Sequence, residues 1–436
     1  MVPLASHPLN SAFTARRQVH QQQIDFFEFF WKERVSRQYQ YRCKLSRELV
    51  CIFTAAAGWE AGFHVQIAVA DLHVVRNGPI TTLQHAMARS SPIYRAVSSP
   101  HDSAFDLPLL DDNHKHDHGL STDAESWDAS EPKQGAVKGR NGAQLYLCSK
   151  GAPRKPGAPV VIFEAGLGVS GAHWSAVQRC LGPDIRSYRY DRPGYGHSPA
   201  TETPRSAEQM AAELLDVLQT AEIKPPYIVV AHSYGGVIGR EFLAAAGSHA
   251  VSGMVLVDAN QENTHTTVRI PYGAIKSLSG GRDYQSVIGV RRNNRFTPEE
   301  LGMISLDESV ATHAATQERE RDLFFESSKA LAAKHQLDMQ PLGMRPVTVI
   351  RGNSERDFQR LVQYAHEQDH GSLDDFIQMN EFIDRFATSD KKLQMAQLRL
   401  SCNSRFVQAK NSGHAVLATE PELVADEIID VFRAAN

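Results

Sequence analysis

Tyr227-Ile-Val-Val-Ala-His-Ser-Tyr-Gly-Gly236 is the stretch on which the fold turns. Ile228 to Val230 is an unbroken β-branched run, the composition of a strand buried on both faces, as in a parallel sheet. Ala231-His-Ser-Tyr-Gly235 follows at once. Residues 237–246 then carry a helical pattern that ends in strong helix formers. Strand, tight turn with Ser233 at its tip, then helix: this is the context of a nucleophile elbow. So sharp a turn needs small residues two before and two after the serine, because a bulky Cβ would strike neighbouring backbone. Ala231 and Gly235 occupy those places. The helix start behind Ser233 aims free N–H groups at the turn, which suits developing negative charge.

Outside this stretch the chain of 436 residues is 42% hydrophobic and 22% charged, which is ordinary for a globular protein. That length admits one large α/β domain with an extension, or two domains. The net charge of -4, without a dominant basic block, argues against nucleic-acid binding. The 5 cysteines are scattered and odd in number, which fits reduced thiols and a cytoplasmic location. No run reaches the roughly 18 apolar residues of a membrane span. The first two dozen residues hold no apolar core of a signal peptide.

Residues 1–98 read as an N-terminal extension, with a helix start at 24–31 and a strand at 63–70 as its clearest local patterns. Residues 99–133 are polar and read as a linker. Within it, Asp111-Asp-Asn-His-Lys-His-Asp-His118 has the residue types of a metal tract. Nothing around it fixes a coordination geometry, so it reads as a solvated charge run, and no metal site is expected.

From residue 134 strands and helices alternate to the end. Asn141-Gly142 joins two short strand patterns, a strong hairpin signal. Val160-Val-Ile-Phe163 is a buried strand followed by Glu164-Ala-Gly-Leu-Gly168. Ile185-Arg-Ser-Tyr-Arg-Tyr190 leads into Asp191-Arg-Pro-Gly-Tyr-Gly-His-Ser198, a glycine-rich turn in which Arg192 is read as holding loops together. Ser206 with Gln209 has the capping-box spacing of a helix start. Met254-Val-Leu-Val257 precedes Asp258, and residues 262–345 are largely helical in pattern. Pro346-Val-Thr-Val-Ile350 and Arg405-Phe-Val-Gln-Ala409 are the last strands, separated by a second helical stretch. Residues 421–432 close the chain as an amphipathic helix. Such alternation means a mostly parallel sheet covered on both faces, with reactive groups gathered outside the carboxyl ends of its strands.

A serine nucleophile needs a base, an acid behind the base, and donors for the oxyanion. His414, in Ser412-Gly-His414 after the last strand, is the candidate base. Two strand ends offer the acid. Asp258 ends the strand after the elbow, whereas Glu355 and Asp357 follow the next strand among Arg351 and Arg356. Asp258 is preferred for its direct approach, with Glu355 as the alternative. The backbone N–H of Tyr234, directly after the serine, is one candidate oxyanion donor. The N–H of Leu167, in the loop after the 160–163 strand, is the other.

Together, Glu164-Ala-Gly-Leu-Gly168, the 190–198 turn, Ala231-His-Ser-Tyr-Gly-Gly236, Leu256-Val-Asp258 and Ser412-Gly-His414 resemble the α/β-hydrolase fold superfamily, in its order, over residues 134–436. Two positions depart from the usual pattern. Ala165 stands where many members carry histidine, and Ala231 replaces the first glycine of the elbow. The resemblance implies an α/β-hydrolase fold, Ser-Asp-His acyl transfer without a cofactor, and a helical lid at 262–345. The expected substrates are small esters, lactones or related carbonyl compounds with apolar bodies. An acyltransferase, cyclase or lyase using the same groups, a non-catalytic binding protein of this fold, and an enzyme anchored to a membrane by its extension are the competing expectations.

Overall fold

Each apolar run read as a strand from residue 134 onward is a strand, to within three residues, in the computed structural model, which describes residues 126–436. The extension at 1–98, with its patterns at 24–31 and 63–70, lies outside the described residues, as do linker positions 99–125 and the 111–118 tract. The last eight positions of the expected linker are tied to the domain. Arg154 Nη1 and the Lys224 amide donate to Asp128 Oδ2 at 2.8 and 3.1 Å. Tyr188 Oη donates to Asp128 Oδ1 at 2.9 Å, and the Lys133 amide donates to Ser149 Oγ at 2.8 Å.

Eight strands form one sheet in the order β1-β2-β4-β3-β5-β6-β7-β8. They are β1 (Gln134–Lys138), β2 (Gln144–Lys150), β3 (Val160–Glu164), β4 (Ser187–Asp191), β5 (Tyr227–His232), β6 (Val251–Val257), β7 (Val347–Arg351) and β8 (Ser404–Gln408). The hairpin of β1 and β2 runs antiparallel, and β2 pairs antiparallel with β4. Every other pairing is parallel.

The central strands are apolar on both faces because helices cover both. Ile162, Val229, Ala231, Met254 and Leu256 point to one layer. There they meet α1 (Ala207–Thr220) through Met210 and Leu214, and α2 (Gly235–Ala246) through Val237 and Phe242. Val161, Phe163, Val230, Val255 and Val257 point to the other layer, against Val424, Ile428 and Val431 of α3 (Pro421–Ala435). The period of two along each strand thus feeds two separate cores.

Between β6 and β7 the chain leaves the sheet and forms eight short helices, including Pro298–Glu308, His313–Asp322 and Phe324–Ala332. A second excursion between β7 and β8 forms two longer helices, Ser354–Gln368 and Leu373–Ala396. The two excursions share an apolar cluster in which Leu278, Ile288 and Val290 meet Phe358, Leu361 and Phe382. No helix among the described residues is long and apolar enough to cross a membrane.

Candidate active site

β5 lies between β3 and β6, so its carboxyl end opens at the middle of the sheet. Ser233 stands there with φ +54°. A non-glycine residue in that region is strained by about 1–3 kcal/mol and persists only when its surroundings over-determine it. Here the backbone does so. The Asn260 and Gly236 amides donate to the Ser233 carbonyl at 2.7 and 2.9 Å, and the Ser233 amide donates to the Val257 carbonyl at 3.3 Å.

The small-residue requirement of the turn has named causes. A Cβ on Gly235 would lie 2.7 Å from the carbonyl oxygens of both Glu164 and Ala165. Position 231 accepts a methyl group because Gly239 on α2 faces it. A Cβ on Gly239 would stand 3.2 Å from the Ala231 Cβ.

The structure brings three of the sequence-predicted side chains together. Ser233 Oγ is 3.0 Å from His414 Nε2. His414 Nδ1 is 2.7 Å from Asp258 Oδ2. The carboxylate only accepts, so Nδ1 carries the hydrogen and Nε2 is left as the acceptor for the serine hydroxyl. Asp258 is itself held. It accepts from the Gly352 amide at 2.8 Å and from Ser354 Oγ at 3.2 Å. Glu355, the alternative acid, lies on the first turn of helix Ser354–Gln368, partly exposed and without a hydrogen bond or ion pair to His414. Arg351 and Asp357, which flank it in the chain, are both buried. Arg351 Nε donates to Asp390 Oδ2 at 2.6 Å, and Asp357 packs against the backbone of Gly413, where only glycine fits.

The titration of the group follows from these contacts. Burial alone would raise the Asp258 carboxyl, but the hydrogen bond and charge of His414, with the Gly352 amide, hold it below the ordinary aspartate value. Burial works against a proton on His414, yet the hydrogen bond and charge of Asp258 outweigh it and lift the ring above 6.5. Half of the His414 side chain is open to solvent, at 49% exposure, which limits the burial effect. His232 sits under this ring, its centroid 4.7 Å away, and its Nε2–H donates to the His414 carbonyl at 2.9 Å. Burial, then the charge of His414, push His232 down to about 3, so it stays neutral.

The loop after β3 passes directly over the elbow. A Cβ on Gly166 would sit 3.1 Å from the Ser233 Cβ. Neither the Leu167 nor the Tyr234 amide donates a hydrogen bond to another described residue. Both N–H groups are therefore without an acceptor among the described residues, one next to the serine in the chain and one in the loop that passes over it.

Several supporting residues left no trace in the sequence reading. Glu320 lies in Gln317-Glu-Arg-Glu-Arg-Asp322, which has the pattern of a solvated helix, yet it is fully buried. Its partner is Arg192, 128 positions away, and such pairing has no local signature. Ser354 and Asp390 are likewise found only through the fold.

A family model described as Alpha/beta hydrolase family matches residues 161–427. An AB hydrolase superfamily protein of Gibberella zeae is 39% identical to this chain over 296 residues, 65% of this chain and 90% of that protein. A probable transporter of Hormonema carpetanum is 31% identical over 308 residues, 69% of this chain, and this chain spans only 43% of that protein. The solved structure of an esterase from Exiguobacterium antarcticum is 15% identical, covers 69% of this chain and 100% of its own, and has a TM-score of 0.45.

Proposed function

The chain belongs to the alpha/beta hydrolase family, and from that premise we propose that it is a serine hydrolase that cleaves esters, lactones or related carbonyl compounds through an acyl-enzyme on Ser233. The observation that carries the reading is the continuous contact from Ser233 Oγ to His414 Nε2 and from His414 Nδ1 to Asp258 Oδ2, at 3.0 and 2.7 Å.

His414 Nε2 takes the hydroxyl proton as Oγ attacks the carbonyl carbon. Asp258 keeps the ring in the tautomer that leaves Nε2 free, and it stabilises the imidazolium that forms. The Tyr234 and Leu167 amides receive the charge on the tetrahedral oxygen. His414 then returns the proton to the leaving alcohol, and the acyl-enzyme forms as the C–O bond breaks. Water enters, gives its proton to His414, and releases the acid by the same steps in reverse order. The insert between β6 and β7 serves as the lid. Its Phe324 ring packs 4.3 Å from that of Tyr234, and Phe325 beside it is 59% exposed, which suits an apolar substrate body.

Two measurements test this reading. Incubation of the full chain with a fluorophosphonate probe is expected to add one adduct, mapped by peptide mass spectrometry to Ser233. An adduct elsewhere, or none, would remove the proposal. The second is the pH profile of kcat/KM on an acyl-ester substrate. The base must be neutral to act, so activity is expected to fall about tenfold per pH unit as pH drops below the titration of His414. Because Asp258 favours the protonated ring, that midpoint should lie above 6.5. Glu164, which burial pushes up to about 7, titrates nearby. A Glu164→Gln variant that keeps the midpoint assigns the limb to His414, and one that loses it assigns the limb elsewhere.

A further inference from the structure

Arg192 is fully buried and every one of its five N–H donors is used. Nε and Nη2 donate to Glu320 Oε1 and Oε2 at 2.8 and 2.9 Å, a bidentate pair with the insert helix His313–Asp322. Nη1 donates to Glu164 Oε1 at 3.0 Å and to the Ala165 carbonyl at 2.8 Å. Nη2 also donates to the Gly166 carbonyl at 2.7 Å. The Glu164 carboxylate accepts in addition from Tyr190 Oη.

The last contact of the guanidinium has a geometric consequence. The Gly166 carbonyl and the Leu167 N–H belong to one planar trans peptide, so they point in opposite directions. A guanidinium that holds the oxygen from one side fixes the N–H to face the other. It also polarises the unit, which makes the N–H a stronger donor. That peptide lies in the loop that passes over Ser233, and its amide hydrogen is otherwise unused.

We propose that Arg192, gripped by Glu320 of the insert, is a positioning residue that sets the Gly166–Leu167 peptide and thereby aims the Leu167 oxyanion donor at the reacting carbonyl. The inference rests on the serine-hydrolase reading. It makes the insert a structural partner of the chemistry, since a shift of helix His313–Asp322 moves Glu320, then Arg192, then the peptide. A lysine cannot reproduce this, because it has one point charge where the fork grips two carboxylates and two carbonyls together.

The test uses the full chain and a fluorophosphonate probe, whose reaction with serine also develops charge on an oxygen at the oxyanion position. Arg192→Lys is expected to slow labelling of Ser233, and kcat on an ester, by about 10- to 100-fold, because loss of one oxyanion donor costs about 10²–10³ and lysine restores part of it. Glu320→Gln preserves the side-chain volume and keeps an amide oxygen to accept from Arg192, so it is the second variant where Arg192→Lys fails to fold, and it is expected to slow both in the same direction by a smaller factor. In both variants KM and the acidic limb of the pH profile should stay at wild-type values, because His414 and Asp258 are untouched. Labelling at the wild-type rate in a variant with an unchanged thermal midpoint would overturn the proposal. So would a loss confined to KM, or a displaced pH limb, either of which marks a merely structural residue. Absence of labelling in the wild type would instead sink the serine-hydrolase reading itself, a result distinct from normal labelling of both variants.

Discussion

Ser233→Ala is expected to lower kcat for an activated ester about 10⁶-fold, with KM nearly unchanged. The substitution removes the atom that bonds to the substrate carbon, and it leaves the surfaces that bind the substrate. What activity remains should come from the two amides beside residue 233 and from simple positioning, worth about 10³–10⁴ over water. Steady-state kinetics on enzyme purified free of host esterases measures the loss. Retention of more than about a thousandth of the wild-type rate would mean that another group attacks the carbonyl.

Asp258→Asn is expected to lower kcat about 10⁴-fold, and Glu355→Gln to leave it essentially unaltered. The reason lies in the hydrogen count. Asp258 Oδ2 accepts from His414 Nδ1 at 2.7 Å, which leaves Nε2 as an acceptor for the serine. An asparagine whose NH₂ faces the ring would put the hydrogen on Nε2 instead, and the base would be lost without a change of shape. Fold stability should change much less than rate, because the amide oxygen still accepts from Gly352 and the NH₂ group can donate to Ser354 Oγ in place of the bond it accepted. The pair of variants, assayed side by side, separates the two carboxylates that the sequence offers. Loss of turnover in Glu355→Gln with a healthy Asp258→Asn would reverse the assignment.

Much of this arrangement is legible in the linear sequence, for a definite reason. Strands buried on both faces must be continuous apolar runs, and residues such as Ile228 to Val230 or Met254 to Val257 can be little else. The parallel order then forces Asp258 and His414, each just past a strand, onto the same rim as Ser233. The choice between Asp258 and Glu355 is less legible, because it depends on where helix Ser354–Gln368 begins. The residues after β7 enter that helix at once, which carries Glu355 away and leaves Ser354 and the Gly352 amide to hold Asp258. The Arg192–Glu320 pair is hidden from the sequence for another reason. Local pattern reports a helix face only when apolar and polar residues segregate, and 317–322 has no apolar residue at all. Its burial is driven by charge pairing across 128 positions, and spacing carries no trace of that.

The bonds at Asp128 bear on how a shortened protein must be cut. The strand pattern invites a start at Gln134. Such a cut discards the carboxylate that Arg154, Tyr188 and the Lys224 amide all grip, and it takes the ion-pair partner from Arg154 and the Asp128 acceptor from the buried Tyr188 phenol. A recombinant version trimmed for crystallisation therefore keeps the turn at residues 126–130 only when the boundary falls upstream of Ser126.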